Sequence, residues 1–442
     1  MKLENSRSVI ARLLLVGAGI AAMAACTHPA TRTEGPMKVE IATTETGFEL
    51  LRDGEPYQIR GAGMTSGDLA AFAAHGGNSI RNWTTVGRVD TRQLLDEAHA
   101  NGVTVALCLP MGSERHGFDY DDEAAVAAQL DTMRAEVLKY RDHPALLFWI
   151  IGNELNHSHT NPRVFNAIDD VARMIHELDP NHPATTAISG FRGEVIKEIQ
   201  ERAPALDFIS FQLYGSVFAL PERMAATGFE EPFMITEWGT LGYWEMEQTD
   251  WGAPIELNSS QKADTYRRAY TEIFQPLEGQ LIGSYAFYWG QKQERTPTWF
   301  GLLTEFGEET EGIDILHKLW TGTWPANRAP QLMTLQLDGK TAPDSVRLVA
   351  GGTYAAQVDA IDPDGDALTY RWELKPESTA TQSGGDFERP IENLYGFIDD
   401  ETGASIQITA PPPGAYRLFV YALDGQGTAA HANLPFLSED GT

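Results

Sequence analysis

The sequence predicts an α/β fold, a closed (β/α)8 TIM barrel followed by a small β-sandwich. Three observations carry that expectation. Strand-like and helix-like segments alternate from residue 57 to about residue 320, the pattern of a parallel sheet with crossover helices. Eight such strands can be counted, which suits a closed barrel better than an open sheet. Past residue 328 the helical periods vanish, and Gly, Pro, Thr and short alternating runs take over to residue 442, the texture of an all-β module. A barrel of about 250 residues and a module of about 100 account for the length.

The N-terminus lies outside that fold. Arg7 and Arg12 precede thirteen apolar or small residues, Leu13 to Ala25, too few to span a bilayer but enough for a signal-peptide core. The run ends "AAMAAC", which resembles a bacterial lipobox and makes Cys26 the expected lipidated residue; cleavage after Ala22-Met23-Ala24 is the alternative. The expected divisions are a signal peptide over 1–26, a tether over 27–36, the barrel over 37–325 and the sandwich over 328–442. The product is expected to be exported, at the outer membrane or cell surface if lipidated and otherwise periplasmic or secreted.

Within the barrel, Asp53-Gly54 separates two short apolar-rich strands and reads as an opening hairpin. The strands expected next are Tyr57–Gly61, Ser79–Trp83, Thr104–Leu109, Leu146–Ile151, Thr185–Ser189, Phe208–Leu213, Phe233–Thr236 and Ile282–Tyr288. Between them, Glu123–Tyr140 and Val164–Glu177 repeat apolar residues at helical spacing, with Val126, Leu130, Met133 and Val137 on one face of the first. The tail contains "DPDGDALTYRW", which most resembles the immunoglobulin-like or PKD-like modules of bacterial surface enzymes.

A formal net charge of −29 argues against nucleic acid, whose affinity comes from basic residues neutralising phosphates, and against polyanionic glycans. A neutral glycan is the expected partner, with membrane contact only through the N-terminal lipid. Besides Cys26 the only cysteine is Cys108, so a buried thiol is expected in place of a disulfide.

Reactive groups in a parallel barrel sit where strands end, on the C-terminal face. Strand four ends on Asn153-Glu154 and strand seven on Glu237-Trp238. Two carboxyls facing each other across a barrel mouth are what glycoside hydrolysis needs: an acid for the leaving oxygen and a carboxylate for the anomeric centre. The pair "YRDHPALLFWIIGNELN" and "PFMITEWG" resembles the acid/base and nucleophile segments of the retaining glycoside hydrolases of clan A, notably the family 2 barrel.

That resemblance implies Glu154 as general acid/base, Glu237 as nucleophile, and Asn153 as partner of the sugar 2-hydroxyl. It implies Arg81, in "NSIRNW", as the cation that keeps the nucleophile ionised, Tyr214, in "FISFQLYG", as its hydrogen-bond partner, and Trp289, in "YAFYWG", as the aromatic platform under the sugar. Trp83, Trp238 and His157 complete the expected substrate-contacting set. Family 2 enzymes carry β-sandwiches before the barrel, whereas this chain has a hairpin there and a sandwich after it, an architecture that resembles the family 158 endo-β-1,3-glucanases.

The expected activity is therefore retaining hydrolysis of a β-glucan, with β-1,3 linkage preferred. Tyr243, Trp244, Trp251, Trp299 and Phe300, in the loops after strands seven and eight, are the candidate faces for stacking several sugars. Transglycosylation, an exo-acting β-galactosidase or β-mannosidase, and a non-catalytic glycan-binding surface lipoprotein are the alternatives. No cofactor or metal is expected: His157 and His159 lack accompanying ligands, His116 reads as a weaker sugar contact, and Asp362, Asp364 and Asp366 read as a turn, with Ca²⁺ a minority reading.

Overall fold

The computed structural model describes residues 35–441 apart from Arg88, Val89, Ser383, Asp400 and Glu401. The signal peptide, Cys26 and most of the tether lie outside the described residues.

β1 (Val39–Thr44), β2 (Gly47–Arg52) and β3 (Glu55–Pro56) form a small antiparallel sheet. Asp53 and Gly54 turn the chain with φ of +54° and +80°, the paired left-handed geometry that tight hairpins need. Phe48 N–H donates to the Gly279 carbonyl and Val39 N–H to the Asn181 carbonyl, each at 2.5–2.8 Å and each in a loop that precedes a barrel strand. Val39, Leu50 and Ile59 share a core with Phe148, Met234 and Tyr285 inside the barrel, so this sheet plugs the end away from the strand C-termini.

The barrel is closed and parallel: β4 (Gly61–Gly63), β5 (Ser79–Arg81), β6 (Thr104–Leu109), β7 (Leu146–Asn153), β8 (Ala184–Ser189), β9 (Phe208–Gln212), β10 (Phe233–Trp238) and β11 (Leu281–Ala286). The first and last predicted strands are shifted, the second stops two residues early at Arg81, and the fourth and seventh run on by two, to Asn153 and Trp238. The first is Gly61–Gly63, not Tyr57–Gly61, because Tyr57 and Ile59 are drawn into the plug. The last stops at Ala286, two residues early.

Alternation along each strand sorts side chains between two layers. In β7, Phe148 and Ile150 fill the barrel, while Trp149 and Ile151 face the helices. Those helices are α1 (Leu69–Ala74), α2 (Thr91–Ala100), α3 (Glu123–Tyr140), α4 (Arg163–Leu178), α5 (Gly193–Arg202), α6 (Leu220–Thr227), α7 (Ser259–Arg268) and α8 (Glu311–Thr321). Asp68, Asp90 and Asp122 cap the first three by accepting two backbone N–H groups each, a contribution of about 1 kcal/mol per cap. Cys108 is buried inside the barrel, and burial pushes its thiol up to about 11, which leaves it unreactive.

The sandwich packs β12 (Gln331–Leu337), β14 (Thr353–Ile361) and β16 (Ser405–Thr409) against β13 (Arg347–Val349), β18 (Ala429–Glu439), β17 (Gly414–Leu423) and β15 (Thr369–Pro376). Trp372, Leu418, Val420 and Phe436 lie in its core. Asp362 Oδ1 accepts the N–H groups of Asp364 and Asp366 at 2.8 and 3.0 Å, so the acidic run forms a turn. Carboxylate oxygens of Asp362, Asp366 and Asp424 come within 4.8 Å of one another.

Candidate active site

The two motif glutamates reach the mouth through local breaks in regular pairing. β7 shifts register between Ile150 and Asn153. Gly152 there has φ +69°, and a Cβ on it would lie 2.4 Å from Leu155 Cδ1, so only glycine fits. Glu154 follows at φ +50°, an uncommon conformation for a side chain this long, held by its N–H donating to the Ala187 carbonyl at 2.8 Å. β10 likewise shifts register between Ile235 and Trp238, and its Glu237 turns into the barrel.

Glu237 is enclosed by donors. Its Oε1 accepts from Arg81 Nη1, from Trp83 Nε1 at 2.7 Å and from Gln212 Nε2 at 3.0 Å, and its Oε2 from the Tyr214 hydroxyl at 3.0 Å. Burial, and then the Glu237 charge, push the Tyr214 hydroxyl well up, so it stays a donor. Arg81 is fully buried, with its guanidinium 4.7 Å from the Trp83 ring centroid. Its Nη2 donates to Asn153 Oδ1 at 2.9 Å, which also accepts from Gln212 Nε2 at 2.7 Å. With its oxygen so engaged, the Asn153 amide nitrogen donates to no acceptor among the described residues.

Glu154 is in the opposite condition. It is only partly exposed, and burial first, then the negative charge of Glu237, push its carboxyl up to about 8. One carboxyl is thus protonated at neutral pH while the other stands among four donors, the separation of roles that acid-assisted displacement requires.

Both line one cavity of about 730 Å³, within the size range of small-molecule sites. Trp83, Tyr214, Phe287 and Tyr288 supply aromatic surface. His157 also lines it, its imidazole made less basic by burial and then by the nearby charges of Arg115 and Arg192.

Two expected sugar contacts are elsewhere. Trp289 is buried between barrel and helices, stacked on Trp320 and edge-on to Phe72; with the strand ending at Ala286, alternation no longer carries it to the mouth. Trp238 is buried against Tyr266 and Phe274, because the residue after an inward Glu237 points outward. Of the five loop aromatics, Trp244 alone is among the cavity-lining residues, and Trp299 and Phe300 are buried beneath them. His116 meets Asp386 at 3.2 Å, and His159 Nδ1 donates to the Asn156 carbonyl at 2.8 Å.

Several residues were not anticipated. Gln212 bridges Glu237 and Asn153, and it stands two residues before Tyr214, so strand alternation was the signal for it. Arg192, Arg223, Lys292 and Glu294 also line the cavity, as do Gly384 and Gly385 of the sandwich, for which nothing local in the sequence speaks.

Comparison with known proteins bears on this arrangement. Residues 68–244 match the family described as glycosyl hydrolases family 2, TIM barrel domain. No curated protein matches the sequence. Among solved structures, Bacteroides uniformis beta-glucuronidase 2, covalently bound to cyclophellitol-6-carboxylate aziridine, is similar at a TM-score of 0.50 and 12% identity over 91% of this chain and 48% of its own. Faecalibacterium prausnitzii beta-glucuronidase gives 0.50 and 16% over 65% of this chain and 52% of its own. Bifidobacterium dentium beta-glucuronidase, complexed with coumarin-3-O-glucuronide, gives 0.50 and 16% over 65% and 49%. The chain spans about half the length of these structures, and at such identities the likeness is one of fold. The barrel resembles the catalytic barrel of family 2 in clan A of the glycoside hydrolases.

Proposed function

We propose that the protein is a retaining β-glycoside hydrolase. The observation that carries this is the pair Glu154 and Glu237 in one cavity, the first with its carboxyl raised to about 8 and the second surrounded by four donors. Glu237 attacks the anomeric carbon as Glu154 protonates the departing oxygen. Glu154, now a carboxylate, takes a proton from the water that releases the sugar, with net retention. Tyr214 and Trp83 hold the attacking carboxylate in line, and Asn153 offers its N–H to the 2-hydroxyl.

Of substrates, a β-glucan, β-1,3-linked in particular, is our first reading. Aromatic walls suit the apolar faces of β-linked pyranoses. A second reading, a glycoside bearing a carboxylate, is favoured by Arg192 and Arg223, which line the cavity and form no ion pair among the described residues; the beta-glucuronidases named above act in its favour only as likenesses of fold.

The test is a panel of aryl β-glucoside, β-galactoside, β-mannoside and β-glucuronide with soluble β-glucans, Glu237→Ala alongside, and the anomer of the first product read by NMR. Turnover with retention, lost in the variant, is expected. Release of the inverted anomer, or turnover that persists in the variant, would overturn the mechanism.

A further inference from the structure

The catalytic cavity is not made by the barrel alone. After β15 the sandwich sends residues 377–388, Ser383 aside, across the barrel mouth. Gly384 and Gly385 line the cavity. A Cβ on Gly384 would come within 3.0 Å of the Trp244 ring, so the backbone lies directly against that aromatic wall.

The crossing is fastened by two barrel loops. Asp386 accepts from Arg115 Nη1 at 2.8 Å and meets His116 Nε2 at 3.2 Å, both in the loop after β6, the third barrel strand. Across the mouth, in the loop after β11, the Arg295 N–H donates to Glu388 at 2.9 Å and its guanidinium to the Ala380 carbonyl. Gly385 N–H donates to Glu294 Oε1 at 3.2 Å. Glu388 is 7% exposed, and none of these partners belongs to the sandwich's own strands. The segment is thus tied to the loop after the eighth strand through Ala380, Gly385 and Glu388, to the loop after the third through Asp386, and lies beside Trp244 of the loop after the seventh.

We propose that this strap is a wall of the glycan site, contributed by the C-terminal sandwich, and that it makes the site receive the end of a glycan or a short glycoside while excluding the interior of a long chain. The chemistry rests on the glycosidase reading above; the placement of the strap does not. A cleft for the middle of a polymer must be open at two opposite sides, and here part of the mouth beside Trp244 is occupied by backbone held from the loops after the third and eighth strands.

Hydrogen–deuterium exchange on the full chain tests the placement without any substrate. The amides of Gly385 and Arg295, which donate across the junction, are expected to exchange slowly, and Asp386→Ala to quicken that of Gly385 by about tenfold or more. Fast exchange in both proteins overturns the proposal. The second arm uses the aryl glycoside and the soluble β-glycan on which the panel finds turnover. The unaltered enzyme is expected to release only mono- or disaccharide at first, with little loss of viscosity. Asp386→Ala is expected to raise KM for the aryl glycoside several-fold with kcat within about twofold, and to yield longer products from the polymer. Long products from the unaltered enzyme in the first minutes also overturn it. If no glycoside is turned over, the glycosidase reading fails, and exchange alone decides the strap.

Discussion

Glu154 carries the sharpest consequence of the site's electrostatics. Its acid form is the one that assists departure of the leaving group, and with the carboxyl raised to about 8 the reaction should lose rate as pH rises through that value. Glu154→Gln is expected to lower kcat/KM on a glycoside with a poor leaving group by about 10²–10⁴-fold and to abolish the alkaline limb. A limb that survives in the variant would assign it to another group. The same shift bears on stability. The folded carboxyl keeps its proton to about pH 8, whereas in the unfolded chain it releases it near about 4.3. The folded state therefore binds more protons across that window, and stability falls as pH rises through it. Glu154→Gln should unfold a few degrees higher than the unaltered chain at pH 8 and at the same temperature near pH 4, which calorimetry at the two pH values would read. The glutamates, Arg81 and Tyr214 were legible because each lies in a short distinctive stretch. Trp289 and Trp238 were not, since which way an aromatic faces depends on where a strand stops pairing, and that is set by neighbours distant in sequence.

At the scale of elements, the site depends on what the strand ends leave out. Gly63 closes β4, and a Cβ there would lie 2.5 Å from Trp83 Cη2. Trp83 in turn donates to Glu237 at 2.7 Å. A methyl on Gly63 thus displaces the ring that fixes one side of the carboxylate, although β4 itself has no need of it. Gly63→Ala is expected to cut kcat/KM by about 10–100-fold, as small misplacements in active sites do, with the far-UV circular dichroism unchanged. The loss should not add to that of Trp83→Phe, since both act through one contact; additive losses would sink the idea. Register breaks in β7 and β10 have the same logic: each turns a strand end so that a glutamate enters the barrel. Strand order and helix spans such as Glu123–Tyr140 could be read from periodicity, because each is a local property with a long pattern. Bulges insert a single residue, and nothing in a two-residue period marks them beforehand.

Over the whole molecule, the sandwich acts less as an appendage than as the other half of a buried polar interface. β18 turns Ala430, Ala432 and Leu434 to the sandwich core and sends His431 and Asn433 to the barrel. There Asn433 Nδ2 donates to Glu256, His431 N–H donates to Ser259 Oγ at 3.0 Å, and Arg417 of β17 donates to the Pro254 carbonyl at 2.9 Å. Lys262 completes the cluster by donating to Glu256 and to the Thr298 carbonyl. Ending the chain at residue 327 would take Asn433 from Glu256, His431 from Ser259 and Arg417 from the Pro254 carbonyl and open the buried Lys262–Glu256 pair to water, so the barrel alone is expected to be less stable than the full chain. The interface also has a pH signature. Burial, and then the charge of Lys262, hold His431 down to about 3. Burial would raise Glu256, but Lys262, His431 and Arg417 outweigh it and hold the carboxyl at about 2. Unfolded, the two groups take up protons near about 6.5 and 4.3. Between those values and the folded ones the unfolded chain binds more protons, so stability is present at neutral pH and lost as pH falls, first through His431 and then through Glu256. His431→Gln removes the first of these losses. Its thermal midpoint should fall less between pH 7 and pH 5 than that of the unaltered chain, whatever the two values at pH 7. Parallel curves from pH 7 to pH 5 would mean that acid opens the molecule somewhere other than between barrel and sandwich.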